Sequence, residues 1–146
     1  MLGELLYEGN PQLVELVEYG TKFSDLMAGK PPGPEGARFD FHLVGNVKGK
    51  LTGRVKALVT MTVRPDGLSV MEMHESLTTE DGENILLEGS AVSLPGDEPG
   101  SIRVKGAFTY HTSSKKYAWA NSTIGVLEAG GNLPKGDFTA KVYSWD

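Results

Sequence analysis

The feature that most constrains this chain is a period of two. Across residues 50–64 the odd positions carry Leu51, Gly53, Val55, Ala57, Val59, Met61 and Val63. The even positions carry Thr52, Arg54, Lys56, Thr60, Thr62 and Arg64, with Leu58 as the exception. Successive side chains of a strand point to opposite faces, so this is one strand with an apolar face and a wet face. It is longer than an ordinary strand, which predicts a bend or bulge, with Gly53 the natural place for it.

Turn signals cut the rest of the chain into similar pieces. Arg64-Pro65-Asp66-Gly67 presets one φ with proline and frees another with glycine, which reads as a tight hairpin. Residues 68–79 are the return strand, Glu80-Asp81-Gly82-Glu83 is a second turn, and residues 84–92 are the next strand. After the loop at residues 94–100, strands are expected over 101–111, 117–127 and 137–145. Upstream, residues 38–44 alternate between Phe39, Phe41, Leu43 and Arg38, Asp40, His42, with a turn expected at Gly45-Asn46. The first 37 residues are less regular. Residues 13–19 read as a strand or a helical turn. Residues 21–28 read as a short helix with Thr21 as N-cap and Gly29 as its stop. Pro31-Pro32-Gly33-Pro34 forces an extended linker.

Seven clear strands plus one or two near the start, joined by short turns, make an antiparallel meander. A sheet that wide curls or splits, and closure removes its exposed edges. The expected fold is all-β: a closed up-and-down antiparallel barrel of about eight strands, calycin-like. The chain is read as one domain over residues 1–146, with residues 1–37 as an irregular segment packing on the barrel. A β-sandwich is the alternative. No helical pattern separates the strands, which argues against a parallel α/β fold.

The charge balance narrows the partners. Fourteen Lys and Arg against nineteen Asp and Glu give a net charge of −5. Such a chain has no general attraction to nucleic acid or to an anionic membrane face. With no cysteine there is no disulfide, thiolate ligand or thiol nucleophile. The N-terminal residues lack a secretory pattern, and a cytoplasmic location is expected.

Several segments, in order, carry a resemblance: Gly36-Ala37-Arg38-Phe39-Asp40-Phe41-His42, Val63-Arg64-Pro65-Asp66-Gly67, Thr78-Thr79-Glu80-Asp81-Gly82, and Tyr110-His111-Thr112-Ser113-Ser114-Lys115 followed by Tyr117-Ala118-Trp119-Ala120-Asn121. Over residues 19–145 the chain resembles the bacterial and fungal family known as domain of unknown function 3237. The resemblance implies a small closed antiparallel barrel, sometimes self-associated, and no particular activity. It also implies an aromatic or acidic pair in the middle of the long strand, where this chain has Val59-Thr60-Met61. That departure makes any pocket there, including Met61, more apolar.

Two carboxylate–histidine pairs share one spacing, Asp40-x-His42 and Glu72-x-His74. Residues two apart in a strand share a face, and a carboxylate beside an imidazole suits general acid–base work near neutral pH. If both strands turn these four inward they form a catalytic candidate; otherwise they are solvated positions of an outer face. His42, His74 and His111 lie on different strands but lack metal-ligand spacing, so no metal and no cofactor is expected. Tyr117, Trp119 and Asn121 share one face if their segment is a strand. With Tyr110 across the preceding turn and Met61, they form the candidate ligand-binding wall. The arginines and lysines are read as the wet faces of their strands.

Three functional readings follow. The first is a binding barrel for a small apolar or carbonyl-containing molecule. The second is a cofactor-independent isomerase, cyclase or lyase using carboxylate and histidine. The third is a structural homodimer with a solid barrel, its partner covering Ala118, Ala120, Ile124 and Val126.

Overall fold

The long alternating segment forms strand β4 (Gly53–Val63), with Val59, Met61 and Val63 buried on one face. The computed structural model describes all residues, 1–146. The other strands are β1 (Leu2–Gly9), β2 (Gln12–Glu18), β3 (Ala37–Gly49), β5 (Ser69–Thr79), β6 (Asn84–Pro95), β7 (Ile102–His111), β8 (Gly125–Gly131) and β9 (Thr139–Trp145). A short helix α1 (Phe23–Met27) joins β2 to β3, and a 3-10 helix over Ala118–Ser122 lies between β7 and β8. No helix is long and apolar enough to cross a membrane.

The strands pair antiparallel in the order β2-β3-β4-β5-β6-β7-β8-β9-β1. β1 then returns to β3 through Tyr7↔Gly49, Glu8↔Lys48 and Gly9↔Val47. That pairing closes eight strands into a barrel and leaves β2 as a ninth strand on the first part of β3. Closure satisfies the edges that an open sheet would leave bare. The sandwich alternative is excluded by this ring.

Two expected boundaries shift. β3 runs through Gly45-Asn46 without turning and reverses only after Gly49. Gly53 opens β4 and marks no bulge within it: a Cβ there would collide with the Thr78 carbonyl, so glycine lets β4 lie against β5. The N-terminal segment departs further from expectation. Residues 2–9 are a stave of the barrel, and residues 12–18 are also a strand. The period of two fails in β1 because its register against β9 slips between Leu2 and Leu5 and again between Leu5 and Tyr7. Leu6 and Tyr7 are consequently both buried, although they are neighbours in sequence.

The two ends of the barrel are covered differently. At one end α1 is held by Glu18, whose carboxylate accepts the Phe23 N–H at 2.7 Å. Lys22 occupies the N-cap position in place of Thr21, and Gly29, at φ +94°, stops the helix as expected. Phe23 packs edge-on against Phe39 and Phe41, with ring centroids 5.3 and 5.2 Å apart. Burying each such ring is worth about 1.5–3 kcal/mol. At the other end the 3-10 helix buries Ala120 completely, with Leu51, Leu77 and Ile85 in the same core.

Candidate functional site

The barrel interior is not filled. Its inward faces leave a cavity of about 100 Å³ bordered by 25 residues, 19 of them hydrophobic. Small side chains keep it open, Ala57 on β4, Ala129 on β8 and Ala140 on β9 among them. Its outer end is bounded by the β1–β2 turn, by the middle of β3 and by Leu133 and Phe138 of the β8–β9 connection. Exposed Asn10 and Asn46 stand at that end, so the cavity meets solvent there.

One charged residue borders this space: Glu75. It sits on the inward face of β5 in line with Met71, Met73 and Leu77. Register places it between Ala57 of β4 and Leu87 of β6, and Leu87 in turn faces Tyr110 of β7. The carboxyl is enclosed by the wall yet half-buried, because it abuts the cavity rather than packed atoms. No cation stands beside it. Burial alone pushes its pKa up to about 7, since a charge in apolar surroundings loses its hydration without replacement.

Tyr7 of β1 also borders the cavity, and its hydroxyl lies 2.9 Å from that of Tyr110. Tyr110 stands behind Tyr7, off the cavity wall. Burial is the main cause that raises both phenols, with a smaller contribution from the Glu75 charge; Tyr110 is pushed up to about 12 although its bond to Tyr7 works against the shift. Both therefore keep their protons wherever the protein is folded under ordinary conditions. Either hydroxyl can donate in this pair; when Tyr110 does, the Tyr7 proton is left for another acceptor. Gly125 makes this pair possible: a Cβ at that position would land on the Tyr110 hydroxyl.

The four expected catalytic residues lie elsewhere. Asp40, His42, Glu72 and His74 are on the outer face of the barrel, since the inward set is Phe39, Phe41 and Leu43 on β3 and Met71, Met73 and Glu75 on β5. The wall separates them from the cavity, and they do not form a shared site. Asp40 accepts hydrogen bonds from the Tyr19 hydroxyl at 2.7 Å and Arg38 Nε at 3.0 Å, which hold its carboxyl below the usual range. The histidines find carboxylates on neighbouring strands, not two residues away. His42 lies 3.6 Å from Glu15 on β2, and His74 lies 3.8 Å from Glu88 on β6. His111 is exposed, and no three His, Asp or Glu groups converge as a metal site would require.

The expected aromatic wall is also corrected. Tyr117, Trp119 and Asn121 share no strand face, because the β7–β8 ladder runs only from Ile102↔Gly131 to Phe108↔Gly125. The residues beyond it have no strand to pair with and fold as the 3-10 helix. Asn121 stands in for a missing ladder by accepting the Thr112 N–H at 2.8 Å and donating to its carbonyl at 2.9 Å. Tyr117 donates to Asp81 at 2.8 Å, and Lys50 Nζ stands 4.2 Å over the Trp119 ring. Asp81 also takes Lys116 Nζ and Thr79 Oγ1, each at 2.6 Å, and its carboxyl falls well below the usual range, chiefly through Lys116. Ala120 of the proposed dimer face is fully buried, so that face does not exist as drawn. Met61 is buried toward α1 and borders a surface cleft at that end, not the cavity. Of the expected ligand-binding residues, Tyr110 alone is near the cavity.

Glu75 and Tyr7 are absent from the expected set. A signal for Glu75 exists on β5: Met71, Met73, Glu75 and Leu77 alternate on one face, and the carboxylate interrupts an otherwise apolar series. Tyr7 carries no such signal, because the register slips of β1 erase its alternation.

No family model and no curated protein matches the chain. Solved structures do match in fold. A protein of unknown function from Clostridium acetobutylicum is 22% identical, with 98% of each chain covered and a TM-score of 0.78. A β-barrel-like protein from Acinetobacter baumannii is 22% identical over 99% of this chain and 94% of its own, with a TM-score of 0.74. An enzyme from Penicillium herquei is 22% identical over 97% of this chain and 92% of its own, with a TM-score of 0.69. At such identity the likeness is one of architecture.

Proposed function

We propose that this protein is a small-molecule-binding barrel whose interior takes a mostly apolar ligand with one carbonyl or hydroxyl group. The observation that carries this reading is the composition of the cavity: an apolar space of about 100 Å³ with its ionisable groups gathered at Glu75 and Tyr7. Ligand sites of this kind are mostly hydrophobic, with a few placed polar groups that fix orientation. The apolar body would lie against Met71, Met73 and Phe108, and the polar group would meet Tyr7. That the Penicillium herquei protein of similar fold is an enzyme makes catalysis a second reading, and here the buried carboxyl favours it over the outer histidines. The ordered motifs described above support placing the chain with domain of unknown function 3237.

The test uses cyclopentanone, a ketone of a size suited to a cavity of about 100 Å³, and protein carrying ¹³C-methyl methionine. Saturable shifts of the Met71 and Met73 methyls, with Met1 and Met27 unmoved, are expected. Filling the space with Ala57→Phe or Ala129→Phe should abolish them. Absence of a saturable shift for this ketone and for its alcohol would reject the reading.

A further inference from the structure

Glu75 has three properties that together are unusual for a carboxyl inside a barrel. It abuts open space instead of packed atoms, it lies in an apolar wall with no cation, and a phenol borders the same cavity. A buried structural carboxylate is ordinarily paired or fully hydrogen-bonded. The groups facing Glu75 from the packed strands are Ala57 from β4 and Leu87 from β6, neither of which titrates. The two phenols, Tyr7 and Tyr110, are the titratable groups that its charge acts on across the interior.

We propose that the cavity is an acid–base site in which Glu75 moves a proton to and from the carbon beside a carbonyl, while Tyr7 holds the carbonyl oxygen. The substrate class is a small, largely apolar ketone that exchanges its α-hydrogen or converts to a positional isomer through its enolate. This rests on the cavity being a ligand site, as proposed above. The Glu75 carboxylate takes the α-hydrogen as a proton. The C–H electron pair becomes the new C=C bond, and the carbonyl π pair moves onto oxygen. Tyr7 donates a hydrogen bond to that oxygen as its charge grows. The proton on Glu75 then returns to the same carbon or to a conjugated one. Atoms and electrons balance without an oxidant, a reductant or a cofactor.

Each part has a physical reason. A carboxyl pushed up to about 7 is present in both forms near neutral pH, so it can take a proton and give it back. A donor aimed at developing oxyanion charge in an enclosed apolar site is worth more than one in water. Tyr110 is a positioning residue: either hydroxyl of the 2.9 Å pair can donate, and with that donation assigned to Tyr110 the Tyr7 proton is left for the ligand.

The test is exchange of the α-hydrogens of cyclopentanone in D₂O, followed by proton NMR beside the methionine-methyl binding measurement. The wild-type protein should accelerate exchange roughly a hundredfold over buffer. The rate should rise through one inflection near pH 7. Glu75→Gln should keep the Met71 and Met73 shifts and lose the acceleration. Tyr7→Phe should lower the rate and leave the inflection in place, and Tyr110→Phe should lower kcat with little change in KM. Binding without accelerated exchange, or exchange that survives Glu75→Gln, overturns the acid–base proposal and leaves the binding reading standing. Failure of cyclopentanone to shift either methionine overturns the acid–base proposal, and failure of its alcohol as well overturns both. Preserved binding in Glu75→Gln also shows that the variant is folded.

Discussion

Tyr7 and Tyr110 stand 103 residues apart in the chain, and their hydroxyls share a hydrogen bond of 2.9 Å inside the barrel. The bond joins the first strand to the seventh, which are not neighbours in the sheet. It therefore spans the interior. Removing one hydroxyl leaves the other without its partner in an apolar region, which costs about 1–3 kcal/mol. Tyr7→Phe and Tyr110→Phe should each destabilise the protein by that amount. The double variant should cost clearly less than the sum, because no orphan remains. Chemical denaturation of the four proteins in a double-mutant cycle measures the coupling. Additive losses would show that the two hydroxyls do not depend on each other.

Glu75 makes the fold pH-dependent in a direction opposite to most carboxylates. Its folded pKa of about 7 lies above the ordinary 4.5, so the folded state binds the proton more tightly than the unfolded state. The stability linked to this group is complete below pH 4.5 and is lost as pH rises to 7. The difference amounts to about 3 kcal/mol. Glu75→Gln should remove this slope and be the more stable protein at pH 8. Denaturant midpoints of both proteins between pH 4 and pH 8 provide the comparison. Parallel curves would place Glu75 in contact with bulk water.

Much of this architecture is legible from alternation and turns. The strands from β3 to β7 keep a period of two with few exceptions such as Leu58, and β3 to β6 each end at a glycine or proline signal, so the meander can be read directly. What fails to read has a common cause, namely segments where the ladder is interrupted. β1 slips register twice, which hides a stave and its Tyr7. The Tyr117–Asn121 run alternates as a strand would, but no partner strand is in register with it, and tertiary context makes it a 3-10 helix. Glu75 is different in kind. Its pattern is readable once Leu77 is added to Met71 and Met73, because a carboxylate in an apolar series then stands out. The more conspicuous Glu72-x-His74 spacing lies on the opposite face, where alternation puts it in water.

Gly125 is where the fold makes room for the interior pair. It faces Phe108 across the β7–β8 ladder, and the Tyr110 hydroxyl occupies the space its side chain would need. A Cβ there would also stand 2.8 Å from Val142 Cγ1. Gly125→Ala should destabilise the protein by about 1–3 kcal/mol, as overpacking does. The same substitution should cost less in a Tyr110→Phe background, where the hydroxyl in its way is gone. Thermal unfolding of the two pairs of proteins checks this. Equal losses in both backgrounds would mean that Val142 alone sets the constraint.

Asp81 fastens the β5–β6 turn to the segment that leads into the 3-10 helix. It collects Thr79 Oγ1, Lys116 Nζ and the Tyr117 hydroxyl, and it has no role in the cavity. Its carboxyl is held well below the usual range, so the clamp remains charged as pH falls through ordinary carboxylate titration and releases only in stronger acid. Asp81→Ala should loosen the segment without opening the barrel, because the β5–β6 and β7–β8 ladders do not depend on it. Amide exchange tests this most directly. The Ala120 and Thr123 amides, bonded to Tyr117 and Ala120 carbonyls, should exchange faster, while the β5 and β6 amides keep their protection. Accelerated exchange throughout β5 would instead make Asp81 part of the barrel's own support.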